Sequence, residues 1–148
     1  MSIEQELNRQ FRNQNHKVTV NIHYSGLWVQ EKMNAMLANY QLTNQQYNML
    51  RILGRAEEPF STLQLRKHMM DKMSDTSRIV DRLVIKGLVK KTTSKKDRRL
   101  VDVVLSQKGK DLIKKLEREL DNKVDKLTSK LSPKEALQLN ILLDKMRS

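Results

Sequence analysis

The stretch VIKGLVKKTTSKKDRRLVDVVLSQKG, residues 84 to 109, constrains the fold more than any other part of the chain. Gly87 follows a helical run and fits the left-handed position just past a helix end. Residues 88–92 and 100–105 then form two short β-prone runs, the second alternating at Val101, Val103 and Leu105. Lys95, Lys96, Arg98 and Arg99 crowd around Asp97 between them. Ser106 follows as the N-cap of a further helix. A helix end, a tight hairpin and a new helix start in so short a span leave the hairpin as a wing beside a helical domain.

The segments before the hairpin announce three helix starts. Thr43-x-x-Gln46 and Ser61-x-x-Gln64 are capping boxes, each followed by apolar residues at helical spacing: Tyr47, Leu50 and Leu53, then Leu65, His68 and Met69. Ser74 stands where a third N-cap belongs, ahead of Ile79, Val80, Leu83 and Val84, which the spacing assigns to the core. GRAEEPF connects the first two of these helices. Further upstream, KVTVNIHY alternates like a strand. The continuation through Gly26, Val29, Met33, Met36 and Tyr40 steps by three and four with no turn signal, and predicts one helix from about 14 to 40. Gly26 within it would allow close approach of another helix.

After Ser106, an apolar stripe runs from Leu112 and Ile113 through Leu116, Leu120, Val124 and Leu127 to Leu131. Ser132-Pro133-Lys134-Glu135 is a strong start for a last helix carrying Leu139, Leu142, Leu143 and Met146. The order is helix, helix, helix, helix, strand, strand, helix, helix. This is a mainly α chain: a winged helix-turn-helix at 41–105 with long dimerisation helices at 1–40 and 106–148. A helix over 107–130 would be about 36 Å long, longer than the winged part is wide. A second copy of the chain is the natural cover for its stripe.

Charge points to the partner. Residues 61–110 hold 14 Lys/Arg against 5 Asp/Glu, a net of +9; the other 98 residues hold 15 against 12. A clustered basic half suits phosphates, whose condensed counterions are released on binding. In a helix-turn-helix the second helix enters the major groove. Here Ser74, Thr76, Ser77, Arg78 and Arg82 are its candidate contacts, with Arg able to fork onto guanine. Asp81, on the same side, is expected to orient Arg78 or Arg82, while Ile85 sits near that side without a partner. Lys95, Lys96, Asp97, Arg98 and Arg99 at the hairpin tip would meet the neighbouring minor groove or its phosphates, with Asp97 holding a guanidinium in place.

Other chemistry is poorly supported. The chain has no Cys, so disulfides, thiolate zinc sites and cysteine redox sensing are excluded. His16, His23 and His68 are scattered, and no catalytic motif or phosphate loop appears. No enzyme activity, metal or cofactor is expected. The eight Met residues, among them Met69, Met70 and Met73, are expected to fill core and interface gaps. The N-terminus has no apolar leader and no run is long enough to span a membrane, so a soluble cytoplasmic protein is expected. The alternative is a basic helical protein binding RNA or an acidic protein without sequence readout. RNA readers of single strands use aromatic platforms on sheets, and the two wing runs hold no aromatic residue.

LTNQQYNMLRIL, DKMSDTSRIVDRLVIKGLVKK and KKDRRLVDVVLSQKGKDL, with their flanking helices, resemble the multiple-antibiotic-resistance regulator (MarR) family of bacterial transcription factors over about residues 20 to 146. Asp97-Arg98-Arg99 matches the family's wing pattern, with Arg99 at its kept Arg. Ser77-Arg78 matches a common Thr-Arg, with Ser replacing Thr. Asp75 stands where a hydroxyl residue is frequent. The resemblance implies a winged-helix homodimer that represses promoters at palindromic double-stranded DNA. It also implies release by a small aromatic ligand in a crevice between the dimer and DNA-binding parts. His23, Tyr24, Trp28 and Met33 are the candidate ligand contacts. The family's cysteine-sensing mechanism is closed to this chain.

Overall fold

A computed structural model describes residues 2–95 and 97–148. The chain forms two compact units, Met1–Gln41 and Leu42–Ser148.

The first unit holds α1 (Ile3–Leu7) and α2 (Gln14–Ala38). The N–H of Ser2 donates to Gln5 Oε1 at 2.8 Å to start α1, and Asn8 ends it in the left-handed region at φ 45°. The Asn13 side chain accepts the His16 N–H at 2.9 Å and starts α2. With the cap at 13 and no breaker until 38, the strand-like Val18, Val20 and Ile22 lie within one continuous helix. The Glu4–Lys17 ion pair, 2.6 Å, ties α1 to α2 and holds the Glu4 carboxyl below its ordinary pKa. A Cβ on Gly26 would meet nothing within 4 Å, so within this chain the glycine serves no close helix approach.

The second unit runs α3 (Asn44–Gly54), β1 (Phe60–Ser61), α4 (Thr62–His68), α5 (Thr76–Ile85), β2 (Val89–Thr93), β3 (Val101–Leu105), α6 (Gln107–Leu127) and α7 (Pro133–Arg147). Both expected capping boxes form: Thr43 Oγ1 accepts from Gln46 N–H at 3.2 Å, and Ser61 Oγ from Gln64 N–H at 3.3 Å, with the glutamine side chains reaching back. Ser132 and Glu135 do the same for α7, and this hydrogen bonding lowers the Glu135 pKa. The cap of α5 differs from expectation. Asp75, not Ser74, accepts the Arg78 N–H, at 3.1 Å.

The end of α5 explains the glycine. Gly87 sits at φ +71°; its N–H donates to Val84 O at 2.8 Å, and the Leu88 N–H to Leu83 O at 3.0 Å. This is a Schellman motif, which only a residue at ease in the left-handed region completes without strain. It turns the chain directly into β2. β2 pairs antiparallel with β3, from Val89↔Leu105 to Thr93↔Val101. β3 also pairs with β1 through Phe60↔Val103 and Ser61↔Asp102, giving sheet order β1-β3-β2. The two-residue β1 adds a third strand to the expected hairpin; it is too short to show alternation.

Ser106 and Gly109 lock this corner. The Ser106 hydroxyl donates to Gly87 O at 2.6 Å and accepts the Gly109 N–H at 3.0 Å. A Cβ on Gly109 would lie 2.0 Å from the Leu88 carbonyl oxygen. The backbone of α6 therefore passes against the α5–β2 turn at a distance only glycine permits.

The core joins Met49, Leu50 and Leu53 of α3, Leu65 of α4, Ile79, Val80 and Leu83 of α5, Val103 and Leu105 of β3, and Ile113, Leu116 and Leu120 of α6. One expectation fails at its edge: Val84 is 38% exposed. Met70 and Met73 lie exposed in the α4–α5 connection, outside the core of the single chain. Beyond Leu120 the α6 stripe becomes half-buried and then exposed, and no residue of α7 is buried.

Candidate nucleic-acid interface

The exposed face of α5 is set by its register. With Ile79, Val80 and Leu83 inward, the 100° step turns Ser77, Arg78, Asp81, Arg82 and Ile85 outward. Ile85, the last residue of α5, is 84% exposed at the end of this polar face. Arg78 and Arg82 line a recess of about 240 Å³ with Asp75, Ile79 and the first turn of α3 at Thr43, Gln45 and Gln46. Gln45 Nε2 donates to Asp71 Oδ2 at 2.9 Å and so ties the α4–α5 connection to α3.

Two expected contacts of that face lie inside instead. Ser74 is buried, and its hydroxyl donates to Asp71 O at 2.7 Å. Thr76 is buried, and its Oγ1 has no hydrogen-bond partner. Thr76 lies three, four and seven residues before Ile79, Val80 and Leu83, so the same helical step puts it on their buried face. Ser74 precedes the Asp75 cap, and its hydroxyl closes the preceding turn.

The hairpin tip also differs from expectation in its wiring. Ser94 N–H donates to Leu100 O at 3.0 Å and Leu100 N–H to Asp97 O at 2.9 Å. The Asp97 carboxylate accepts the Arg99 backbone N–H at 2.9 Å. Asp97 thus shapes the turn through backbone and not through a guanidinium. Lys95, Arg98 and Arg99 are exposed; Lys96 lies outside the described residues. Asp81 likewise pairs with neither arginine. Its carboxylate meets the Lys91 ammonium of β2. Lys91 escaped the sequence reading because nothing in KKTT separates a partnered lysine from a solvated one.

The four candidate ligand residues do not converge. Tyr24 and Trp28, one turn apart on α2, line a recess of about 380 Å³ with Ser2, Ile3, Glu6, Lys17, Asn21 and Ser25. His23 and Met33 are not among its lining. The Tyr24 phenol hydrogen-bonds the Glu6 carboxylate, which raises its pKa. Glu6, Lys17 and Asn21 were missed by the sequence reading. Among the described residues no group of three or more His, Cys, Asp or Glu is placed to hold a metal ion. Among them, too, no helix is long and apolar enough to cross a membrane.

Against known proteins, residues 42–101 match the MarR family model. No curated protein matches the sequence. Solved structures match over most of their length. A mutant of E. coli MarR complexed with operator DNA aligns with TM-score 0.82 and 24% identity, covering 93% of this chain and 99% of that one. The S. aureus MepR–DNA complex aligns with TM-score 0.79 and 21% identity, covering 86% and 94%. Bordetella bronchiseptica BpsR, whose DNA binding is regulated by 6-hydroxynicotinic acid, aligns with TM-score 0.77 and 20% identity, covering 88% and 93%.

Proposed function

We propose that the chain, whose residues 42–101 match the MarR family model, is a cytoplasmic, sequence-specific DNA-binding transcriptional regulator that represses promoters at palindromic sites as a homodimer. The observation that carries this reading is the joint exposure of Ser77, Arg78 and Arg82 on α5 and of Lys95, Arg98 and Arg99 on the wing, within one compact unit. A helix face that forks onto bases and a cationic hairpin that meets phosphates are the two parts such recognition needs. No residue is assigned a catalytic role. The dimer rests on α7, whose Leu139, Leu142 and Met146 step along one stripe and are about half exposed in the single chain.

Selection of duplexes from random DNA tests the reading. A palindrome of about 16–20 base pairs is expected, from two recognition helices one helical turn apart. Enrichment of single-stranded RNA, or of no duplex, would favour the non-specific basic protein instead.

The two parts should fail differently when mutated. Arg78→Ala should cost about 1–3 kcal/mol for each base that the guanidinium reads, and relax preference at one symmetric pair of positions. Arg98→Ala or Arg99→Ala should weaken selected and scrambled duplexes alike and flatten the salt dependence by about one unit of slope. Equilibrium binding at several salt concentrations separates the two patterns.

The Tyr24–Trp28 recess supports regulation by a small aromatic acid, the class to which the regulator of BpsR belongs. Salicylate or 6-hydroxynicotinic acid should quench Trp28 fluorescence and weaken DNA binding. DNA should weaken the acid by the same factor, since coupling between two sites is reciprocal. An unchanged emission spectrum across a panel of aromatic acids would remove this part and leave the DNA reading intact.

A further inference from the structure

The α5–β2 corner contains a fastener that recognition alone does not explain. The helix and the strand are joined at one end by the Schellman turn at Gly87. Asp81 stands about 6 Å up the helix axis from its end at Ile85, and Lys91 about 7 Å up the strand from Val89. The two are level, and their side chains meet in an ion pair. Helix, turn, strand and ion pair form a closed loop, in which the pair biases an angle set first by the Gly87 turn and the β2–β3 pairing. That angle matters at the tip. A pivot of about 10° at the turn would carry Lys95, eight residues away, by about 5 Å, the difference between touching a phosphate and missing it.

The pair also alters the charge that DNA meets. Arg78 and Arg82 flank Asp81 on α5, and Lys95, Arg98 and Arg99 carry further positive charge at the tip; all are exposed. Asp81 is the one carboxylate on the outward face of α5 beyond the cap Asp75. A lysine engaged by a carboxylate does not condense onto phosphate and releases no counterion there. Both partners are roughly half exposed, so the pair adds little to folding stability, and its consequence lies in binding.

We propose that the Asp81–Lys91 ion pair is a specificity device: it withholds Lys91 from phosphate and biases the wing toward one angle to the recognition helix, so that unselected duplexes are bound weakly. The proposal rests on the DNA-binding reading above. It makes Asp81 and Lys91 positioning residues, with no base or phosphate contact of their own.

The test is equilibrium binding of the full-length protein to its selected palindrome and to a scrambled duplex of equal length, across a range of salt. If the wild-type protein does not distinguish the two duplexes, the DNA-binding reading itself is overturned before any variant is compared. If it does, Asp81→Asn should tighten scrambled DNA about three- to tenfold at low salt. It should also steepen the salt slope by about 0.9, the increment of one newly engaged phosphate. Lys91→Gln should leave the slope unchanged, since the wild-type Lys91 touches no phosphate. In the double variant the gain from Asp81→Asn should vanish, a non-additivity of the kind that paired residues show. Asp81→Glu keeps the carboxylate and should keep the wild-type slope, which distinguishes loss of the pair from loss of folding. Two results would overturn the proposal. One is a slope flattened by about 0.9 in Lys91→Gln, which would make Lys91 an ordinary phosphate contact. The other is an Asp81→Asn gain that persists undiminished beside Lys91→Gln, which would make Asp81 only a repelling charge.

Discussion

Leu142→Glu should turn the proposed dimer into a monomer and lower affinity for the palindromic site by about 10²–10⁴, the range by which linked sites exceed single ones. The reason is the state of α7. Leu139, Leu142 and Met146 are 45%, 55% and 54% exposed along one stripe, and no residue of the helix is buried in the single chain. An exposed apolar stripe of this kind marks a surface that a partner covers. A carboxylate placed there must be buried unpaired or the interface must open, and burial of an unpaired charge costs several kcal/mol. Light scattering should give about twice the 17.4 kDa chain mass for the wild type and the single mass for the variant. Binding to an isolated half-site should be unchanged, because the α5 face and the wing are untouched. If the wild type has the single mass at micromolar concentration, the dimer is excluded.

Among the glycines, Gly109→Ala should be the most destabilising substitution. The added Cβ would fall 2.0 Å from the Leu88 carbonyl oxygen, and a backbone oxygen cannot rotate away as a side chain can. Relief requires α6 to withdraw from the α5–β2 turn. That breaks the Ser106 hydroxyl's hydrogen bonds to Gly87 O and from Gly109 N–H and loosens Ile113, Leu116 and Leu120 in the core. A cost of about 3 kcal/mol or more is expected, lowering the melting midpoint by about 10 °C in a chain of this size. Gly87→Ala offers the comparison. There the penalty is the left-handed backbone at φ +71°, with nothing within 4 Å of the new Cβ, so about 1–2 kcal/mol is expected. Thermal melts of the two variants in parallel check the order; equal midpoints would show that the α6 contact is not the close one described.

Local chemistry was legible in the sequence wherever it is short-ranged. The boxes at Thr43, Ser61 and Ser132, the Gly87 stop and the Ser106 start each depend on residues within four positions of one another, and each forms. The β2–β3 hairpin joins two runs that are neighbours along the chain, and it forms as well. Helical spacing also placed Arg78 and Arg82 on the outward face of α5, because Ile79, Val80 and Leu83 leave that face no other direction. The long α2 was legible despite its alternating start, since no breaker interrupts it.

Tertiary structure decided what depends on partners distant in sequence. Asp75 caps α5 while the Ser74 hydroxyl turns back to Asp71 O in the α4–α5 connection, a choice between two adjacent capping residues that the local pattern leaves open. The third strand exists only because β3 has an open edge for Phe60 and Ser61. Asp81 is close in sequence to Arg78, Arg82 and Ile85, yet its carboxylate reaches Lys91, ten residues on, because the Gly87 turn folds β2 back alongside α5. Gly109 shows the same division. Its place after Ser106 marks a helix start, but only the passage of α6 across Leu88 makes glycine obligatory there. Backbone propensity acts over a few residues and is written in them; steric exclusion and ion pairing act through space, and become definite only when the chain has closed on itself.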